Sequence, residues 1–589
     1  MLALSAFFAS AQDGEIVTGE YLSKDCELYK MNQLDGYHNA LADSVLNTLS
    51  LRQKIAQLLM VEAPSAGLFE VGSRLDSLVR DLGVGGIIVF RNDAARVAGG
   101  ICRVQELAPL PMLVAADAEW GLSMRYPEYP RFPKALQMSA SNSEQNMWFL
   151  GYHTARQCRS MNIHINFAPV VDINRLEGDP VSSMRSYGDD KRRVATNASA
   201  YIDGMRVNGI FTCAKHFPGA GDNNVDSHKA MPVNTSSARR IDTLNLFPFR
   251  KAIEAGVEFV MVGHISVPAL DSTGTPASIS KPIITGLLKE KLGFDGIVIT
   301  DALGMKGVSE GREQKDIAVA AYQAGVDVLL MPEDPFATVD LFESLFNDGE
   351  LSEDELDMKV LKVLRLKARA GLFDTDQKYG FRPMKDSAAV ADHIRGRSDF
   401  DFVFERKFAS QVAKESMSVV AEKKGLLPLK SVLGTKVAYM AVNPSDNSDV
   451  MLAEMMRYAT VHRFDVAPDI PLYRLDSLLK VVNEYDWVVV GLHNAKDDIA
   501  ADYNVPKDVC ERLGKWATAN PSKSVVVWFG NPYALRLMPW NASAGAFMVA
   551  YEDLDFNAAA AVNTIFREDP ALHPRKPMPV QKKRKTTRK

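Results

Sequence analysis

The sequence predicts an α/β protein, a (β/α)8 barrel of the TIM type followed by a smaller α/β sandwich domain. Eight β-rich runs, at 58–62, 84–90, 112–117, 165–173, 209–215, 259–265, 296–301 and 326–331, are nearly continuous in apolar residues, the pattern of parallel strands buried on both faces. Most are separated by stretches long enough for a helix, such as 195–207, 246–255, 283–292 and 314–324, which suits strand–helix units closing into a barrel with generous loops. The third observation is how the runs end. Glu62, Arg91, Asn92, Asp117, Asp172, Asn174, Lys215, His216, His264 and Asp301 stand at or just past the strand ends. A barrel carries its chemistry at the C-terminal ends of its strands, so these residues form a converging ring. A doubly wound sheet would give fewer strands and a single crevice.

Taken in order, residues 43–59 have helical periodicity, with Leu46, Leu49, Ile55, Leu58 and Leu59 apolar, and lead into the first strand. A helical stretch at 351–372, with Leu356, Val360, Val363 and Leu364 on one face, closes the barrel, which spans 40–375. Residues 376–405 are polar and irregular and are assigned to a linker. The sandwich domain, 406–568, opens on a helical run at 408–419 and contains strand-like runs at 436–442, 487–492, 524–529 and 545–549 with helical segments between. No Gly-rich phosphate loop opens any of its helices, so no nucleotide is assigned to it.

A chain of 589 residues exceeds one core and corresponds to roughly two to four domains. With 47% hydrophobic and 24% charged residues, the composition is that of an ordinary globular enzyme, and the net charge of −5 argues against a nucleic-acid partner. The exception is a basic tail, 569–589, expected to be disordered. Residues 1–11 form a short apolar run ending in Ala9-Ser10-Ala11, which fits a cleavable signal peptide and predicts export to the periplasm or medium. Beyond it no apolar run reaches the length of a spanning helix, so no integral membrane segment is expected in the mature chain. The five cysteines are scattered, without a CxxC spacing, and indicate neither a disulfide framework nor a metal site.

The chemistry concentrates after the fifth strand, where Ala214-Lys215-His216-Phe217-Pro218-Gly219-Ala220-Gly221 runs on to Asp226-Ser227-His228. Asp226 and His228 are two apart, so in extended backbone they project to one side and a carboxylate can sit beside an imidazole, fixing its tautomer and raising its proton affinity. Lys215 and His216, at the strand end, are placed to donate hydrogen bonds to hydroxyls. No spacing of His, Cys, Asp or Glu fits a metal, and none is expected.

These segments, together with Ile299-Thr300-Asp301-Ala302-Leu303, make the chain resemble glycoside hydrolases of family 3, and within them the bacterial β-N-acetylglucosaminidase branch, over residues 40 to 560. The resemblance implies a retaining exo-β-N-acetylglucosaminidase without cofactor, whose partner is a carbohydrate: peptidoglycan fragments or related glycans ending in β-linked N-acetylglucosamine. It implies Asp301 as nucleophile, His228 as acid/base with Asp226 as its partner, and Asp117, Arg125, Arg185, Lys215 and His216 as sugar-binding residues. Two departures bear on substrate preference. Ala220 stands where many members of the branch have a second histidine, and Ala118-Glu119-Trp120 replaces a commoner Gln-Glu-Gly segment. The alternatives are a β-glucosidase or β-xylosidase, a glycoside phosphorylase, and a non-catalytic glycan-binding protein of the same fold.

Overall fold

The computed structural model describes residues 35–64, 67–174, 183–220, 225, 230–309, 311–373, 401–423, 425–429, 434–499 and 501–567. The proposed leader, the tail, most of the linker, and Asp226 and His228 lie outside them.

All eight expected barrel strands are present: β1 (Leu59–Ala63), β2 (Gly86–Val89), β3 (Leu113–Ala116), β4 (Ile165–Asn166), β5 (Phe211–Phe217), β6 (Phe259–Val262), β7 (Ile297–Thr300) and β8 (Leu329–Leu330). They pair in parallel in the order β7-β6-β5-β4-β3-β2-β1-β8. The ring closes between β7 and β8, where Val328 N donates to Val298 O (3.0 Å) and Leu330 N to Thr300 Oγ1 (3.0 Å). Apart from Glu62, the strand residues are buried, which is why the runs read as unbroken apolar segments.

Two boundaries differ from expectation. The 43–59 segment is two helices, Asp35–Leu46 and Leu51–Gln57, because Ser50 starts the second with a capping box: its Oγ accepts from Gln53 N (3.3 Å) while Gln53 Oε1 accepts from Ser50 N (2.9 Å). The run 165–173 pairs as a ladder only over β4, since Pro169 has no N–H to donate. Beyond it the chain still tracks β5, with Lys215 N donating to Pro169 O (3.2 Å) and Val171 N to Lys215 O (2.8 Å), which delivers Asp172 beside His216.

The second domain is a six-stranded sheet in the order β11-β10-β12-β13-β14-β9: β9 (Ser418–Glu422), β10 (Lys436–Val442), β11 (Thr460–Val466), β12 (Trp487–Leu492), β13 (Ser524–Trp528) and β14 (Ala546–Val549). The four expected strands form its centre; β9, antiparallel to β14, and β11 are the two edges. Both edges are half-exposed, so neither reads as an apolar run, and the helix placed at 408–419 ends at Ser416 to free residues for β9. Apolar clusters cover the two faces of this sheet. No helix among the described residues is long and apolar enough to cross a membrane.

Outside β4 and β5, helices Glu144–Ser160 and Lys191–Val207 cross at reciprocal glycines. A Cβ on Gly151 would lie 2.3 Å from Tyr201 O, and one on Gly204 would lie 2.1 Å from Trp148 O. On an open helix surface Gly→Ala stabilises by up to about 1 kcal/mol. Here backbone meets backbone and cannot yield, so Gly151→Ala is expected to destabilise by about 1–3 kcal/mol, read as a lower urea midpoint at unchanged m. A stabilised variant would mean that the helices do not cross this closely.

Candidate active site

The mouth of the barrel is organised by strand ends. A one-residue bulge in β5, where Lys215 faces Met261 and Phe217 faces Val262, interrupts the alternation so that Lys215 and His216 each reach a carboxylate of a neighbouring segment. The Lys215–His216 peptide is cis.

Lys215, with only 3% of its side chain exposed, sits between two carboxylates: Nζ lies 2.8 Å from Asp117 Oδ1 and 3.0 Å from Glu119 Oε1. Each is further paired with an arginine. Arg125 Nη2 donates to Asp117 Oδ2 (2.6 Å), with its guanidinium 5.4 Å from the Phe90 ring centre. Arg185 grips Glu119 with Nη2 on Oε1 (2.7 Å) and Nε on Oε2 (3.0 Å). Burial alone would push both carboxyls up, but the cations win: Lys215 and Arg125 hold Asp117, and Arg185 and Lys215 hold Glu119, below the usual carboxylate range. The same pairs overcome the burial of Lys215 and raise its pKa. Two of the three ammonium protons are committed, and the third can serve a hydroxyl.

His216 stands on the other side of β5. Its Nδ1 donates to Asp172 Oδ2 (2.7 Å), and Asp172 also takes the backbone N–H of Ala220 (2.7 Å) and of His216 (3.2 Å). Ala220, the residue that departs from the family pattern, thus contributes through its backbone. His264, at the end of β6, is buried. Its Nε2 donates to Ala302 O (2.9 Å), which leaves Nδ1 to accept from Ser278 Oγ (2.7 Å), and burial lowers its pKa despite Asp301 nearby.

Asp301 ends β7. Its Oδ1 accepts from Ala302 N (2.8 Å), and no described residue hydrogen-bonds its Oδ2. Burial would raise its pKa, but His216, His264, the Ala302 N–H and Lys215 outweigh it and lower the value. Of these four carboxylates, Asp117, Glu119 and Asp172 have both oxygens occupied, and Asp301 keeps one without a partner among the described residues. Beside this strand end a cleft of about 690 Å³ opens between the β1, β7 and β8 loops, lined by Glu62, Arg74, Gly304, Lys306, Arg312 and Glu333 among others.

The Glycosyl hydrolase family 3 N terminal domain model matches residues 50–366, more than half of the chain. The chain belongs to glycosyl hydrolase family 3. Among family relatives, a beta-N-acetylglucosaminidase/beta-glucosidase of Cellulomonas fimi is 29% identical over 60% of this chain, which spans 62% of that protein's length. Beta-hexosaminidase LpqI of Mycobacterium tuberculosis is 33% identical over 54% of this chain and 83% of its own. A solved family 3 beta-N-acetylglucosaminidase from Paenibacillus sp. str. FPU-7, 27% identical, superposes with a TM-score of 0.70 over 88% of this chain and 97% of that one, so barrel and sandwich recur together.

The structure brings Asp117, Arg125, Arg185 and Lys215 into one lattice and sets His216 near Asp301. Sequence reasoning left out one member, Glu119, and treated it only as part of a departing segment. The signal was present: Glu119 is two residues from Asp117, the same spacing that drew attention to Asp226 and His228. Trp120 beside it lies under Lys134 Nζ (5.3 Å to the ring centre) and Arg131 (5.8 Å).

Because Glu119 is 6% exposed and neutralises two cations, Glu119→Gln is expected to cost about 3 kcal/mol at pH 7. Its folded pKa is depressed, so its contribution is complete above the unfolded value and fades as pH falls below it. Urea titrations should therefore show the gap between wild type and variant narrowing from pH 7 to pH 3; a gap independent of pH would remove the electrostatic account.

Proposed function

We propose that the chain is a retaining exo-β-N-acetylglucosaminidase that removes terminal β-linked N-acetylglucosamine from peptidoglycan fragments or related glycans. The observation that carries the chemistry is the open Oδ2 of Asp301, on a carboxylate held ionised at a rigid strand end. Retaining hydrolysis needs such a nucleophile to attack the anomeric carbon and form a glycosyl-enzyme. The lattice supplies fixed donors and acceptors, Arg125, Arg185, Lys215 and Asp117, and His216 beside Asp301 supplies another, for the hydroxyls and acetamide of one terminal sugar. His228, backed by Asp226, protonates the departing oxygen and then takes a proton from water in the second step. The activities by which the Cellulomonas fimi, Mycobacterium and Paenibacillus relatives are named support this sugar, and the double name of the first gives a β-glucosidase reading some weight.

Chromogenic β-N-acetylglucosaminide, β-glucoside and β-xyloside compared at equal concentration should show preference for the first. Preference for either of the others moves the assignment to that sugar. A sugar phosphate formed only when phosphate is added would instead indicate phosphorolysis.

Asp301→Asn is nearly isosteric but a poor nucleophile, so kcat is expected to fall by more than about a thousandfold with thermal unfolding unchanged. A 5-fluoro analogue of N-acetylglucosamine with an activated leaving group, which keeps the 2-acetamido group, should label Asp301 in the wild type, and label on another carboxylate would reject the role.

A further inference from the structure

The second domain reaches the sugar-binding lattice without placing a charge in it. Arg185 lies on a single turn, Ser183–Arg185, in the loop after β4. On the inner side Asn174 Nδ2 donates to Ser183 O (3.0 Å), and Ser186 Oγ donates to Asp172 O (2.6 Å). On the outer side two anchors come from the loop after β13. Asn531 Nδ2 donates to Ser183 Oγ (2.8 Å), and Tyr533 Oη donates to Asn174 O (3.0 Å). Between these bonds Met184, 1% exposed, packs in the apolar cluster of the second domain and not in that of the barrel. The residue preceding Arg185 is thus a plug in the neighbouring domain.

Asn531 is itself fixed. It is 1% exposed, its Oδ1 accepts from Tyr533 N (3.0 Å), and its carbonyl accepts from Trp528 Nε1 (2.9 Å). A side chain with this many commitments has one geometry, and it transmits that geometry to Ser183. The other end of the lattice is tied to the helix Asp401–Ser416, whose Phe402, Phe408 and Val412 pack in the apolar cluster of the barrel. Gln157 Oε1 accepts from Leu122 N (2.8 Å), at the turn that leads into Arg125, while Gln157 Nε2 donates to Glu405 Oε2 (2.8 Å) on the helix Asp401–Ser416.

We infer that Asn531, Tyr533 and Met184 are positioning residues: the second domain sets the Arg185 guanidinium on Glu119, and through Glu119 the height of Lys215, so that the barrel's sugar site is complete only with that domain docked. The inference rests on the reading of Arg185 as a substrate contact. Its geometric half does not, and the two are tested separately.

The first measurement is hydrogen exchange of the intact chain, following peptides that cover 183–188. Asn531→Ala combined with Tyr533→Phe should raise deuterium uptake there by at least several-fold. Asn146→Ala, which breaks a different interdomain bond (Asn146 Nδ2 to Glu415 Oε2, 2.7 Å), should leave it unchanged. Equal uptake in both variants overturns the brace. The second is a double-mutant cycle read in KM, with whichever of the three chromogenic glycosides the wild type hydrolyses, so that a wrong sugar assignment does not decide it. Asn531→Ala should raise KM about tenfold with kcat within twofold in the wild-type background, and less than twofold when Arg185 is already alanine. Effects that multiply independently would mean that Asn531 does not act through Arg185, and the proposal falls.

Discussion

The burial of one ammonium group governs the architecture of the barrel mouth. Lys215 is withdrawn from water at the end of β5, a placement that costs several kcal/mol unless it is paired and hydrogen-bonded. Pairing it with Asp117 alone would leave the balance short, since that carboxylate is buried too. The structure supplies Glu119 as a second acceptor, and each carboxylate then draws in an arginine. Five charged groups from β5, the β3 loop and the β4 loop are thereby fixed by mutual need. The segments that carry them cannot relax one at a time, because releasing any member leaves a buried charge uncompensated.

This constraint explains why loops of unequal character converge. The β3 and β4 loops are not held by the barrel core alone. The outer face of the β3 loop is taken up by the second domain through Glu552, which accepts from Arg131 Nη2 (2.5 Å) and Lys134 N (2.8 Å), and through Gln137, which donates to Asn557 Oδ1 (2.7 Å) and Ser416 Oγ (3.1 Å), and that of the β4 loop through Asn531 on Ser183. Such a seam is polar and, at Glu552, Gln137 and Asn557, buried, so it specifies one docking geometry more than it adds stability. The crossing of Gly151 and Gly204 acts on the opposite side, bringing two helices close enough to wall the β4–β5 region without a side chain between them.

Much of this was legible in the sequence, for identifiable reasons. Eight barrel strands were visible because parallel strands covered on both faces exclude polar residues until they end, and the polar residue that ends each one then stands out, as Asp117, Lys215, His264 and Asp301 do. Edge strands β9 and β11 face water on one side and carry no such signature, so they went unseen. The break at Ser50 was written in its capping box but overridden by the apolar periodicity around it. Glu119 was missed because a carboxylate inside a turn resembles a surface residue until a buried cation is placed against it. The dependence of Arg185 on Asn531, 346 positions away, could not be read locally at all, since neither residue type signals a partner across a domain boundary.

The same field that fixes the lattice limits which groups can do proton chemistry. Asp117, Glu119 and Asp301 are all pushed towards ionisation by neighbouring cations and imidazoles, so none of them retains a proton at neutral pH. That state suits a nucleophile and is wrong for a general acid, which must hold its proton until the leaving oxygen takes it. The retaining mechanism proposed above would have to import its acid from a group outside the lattice, and an imidazole on a loop would meet the requirement better than another carboxyl on a strand end. A carboxyl brought within reach of Lys215, Arg125 and Arg185 would be stripped of its proton by these charges, whereas an imidazole paired with its own carboxylate keeps a proton affinity near neutrality. On the proposed mechanism a histidine acid/base would follow from this cluster of cations, and the Asp226–His228 pair is the candidate that the sequence offers for it.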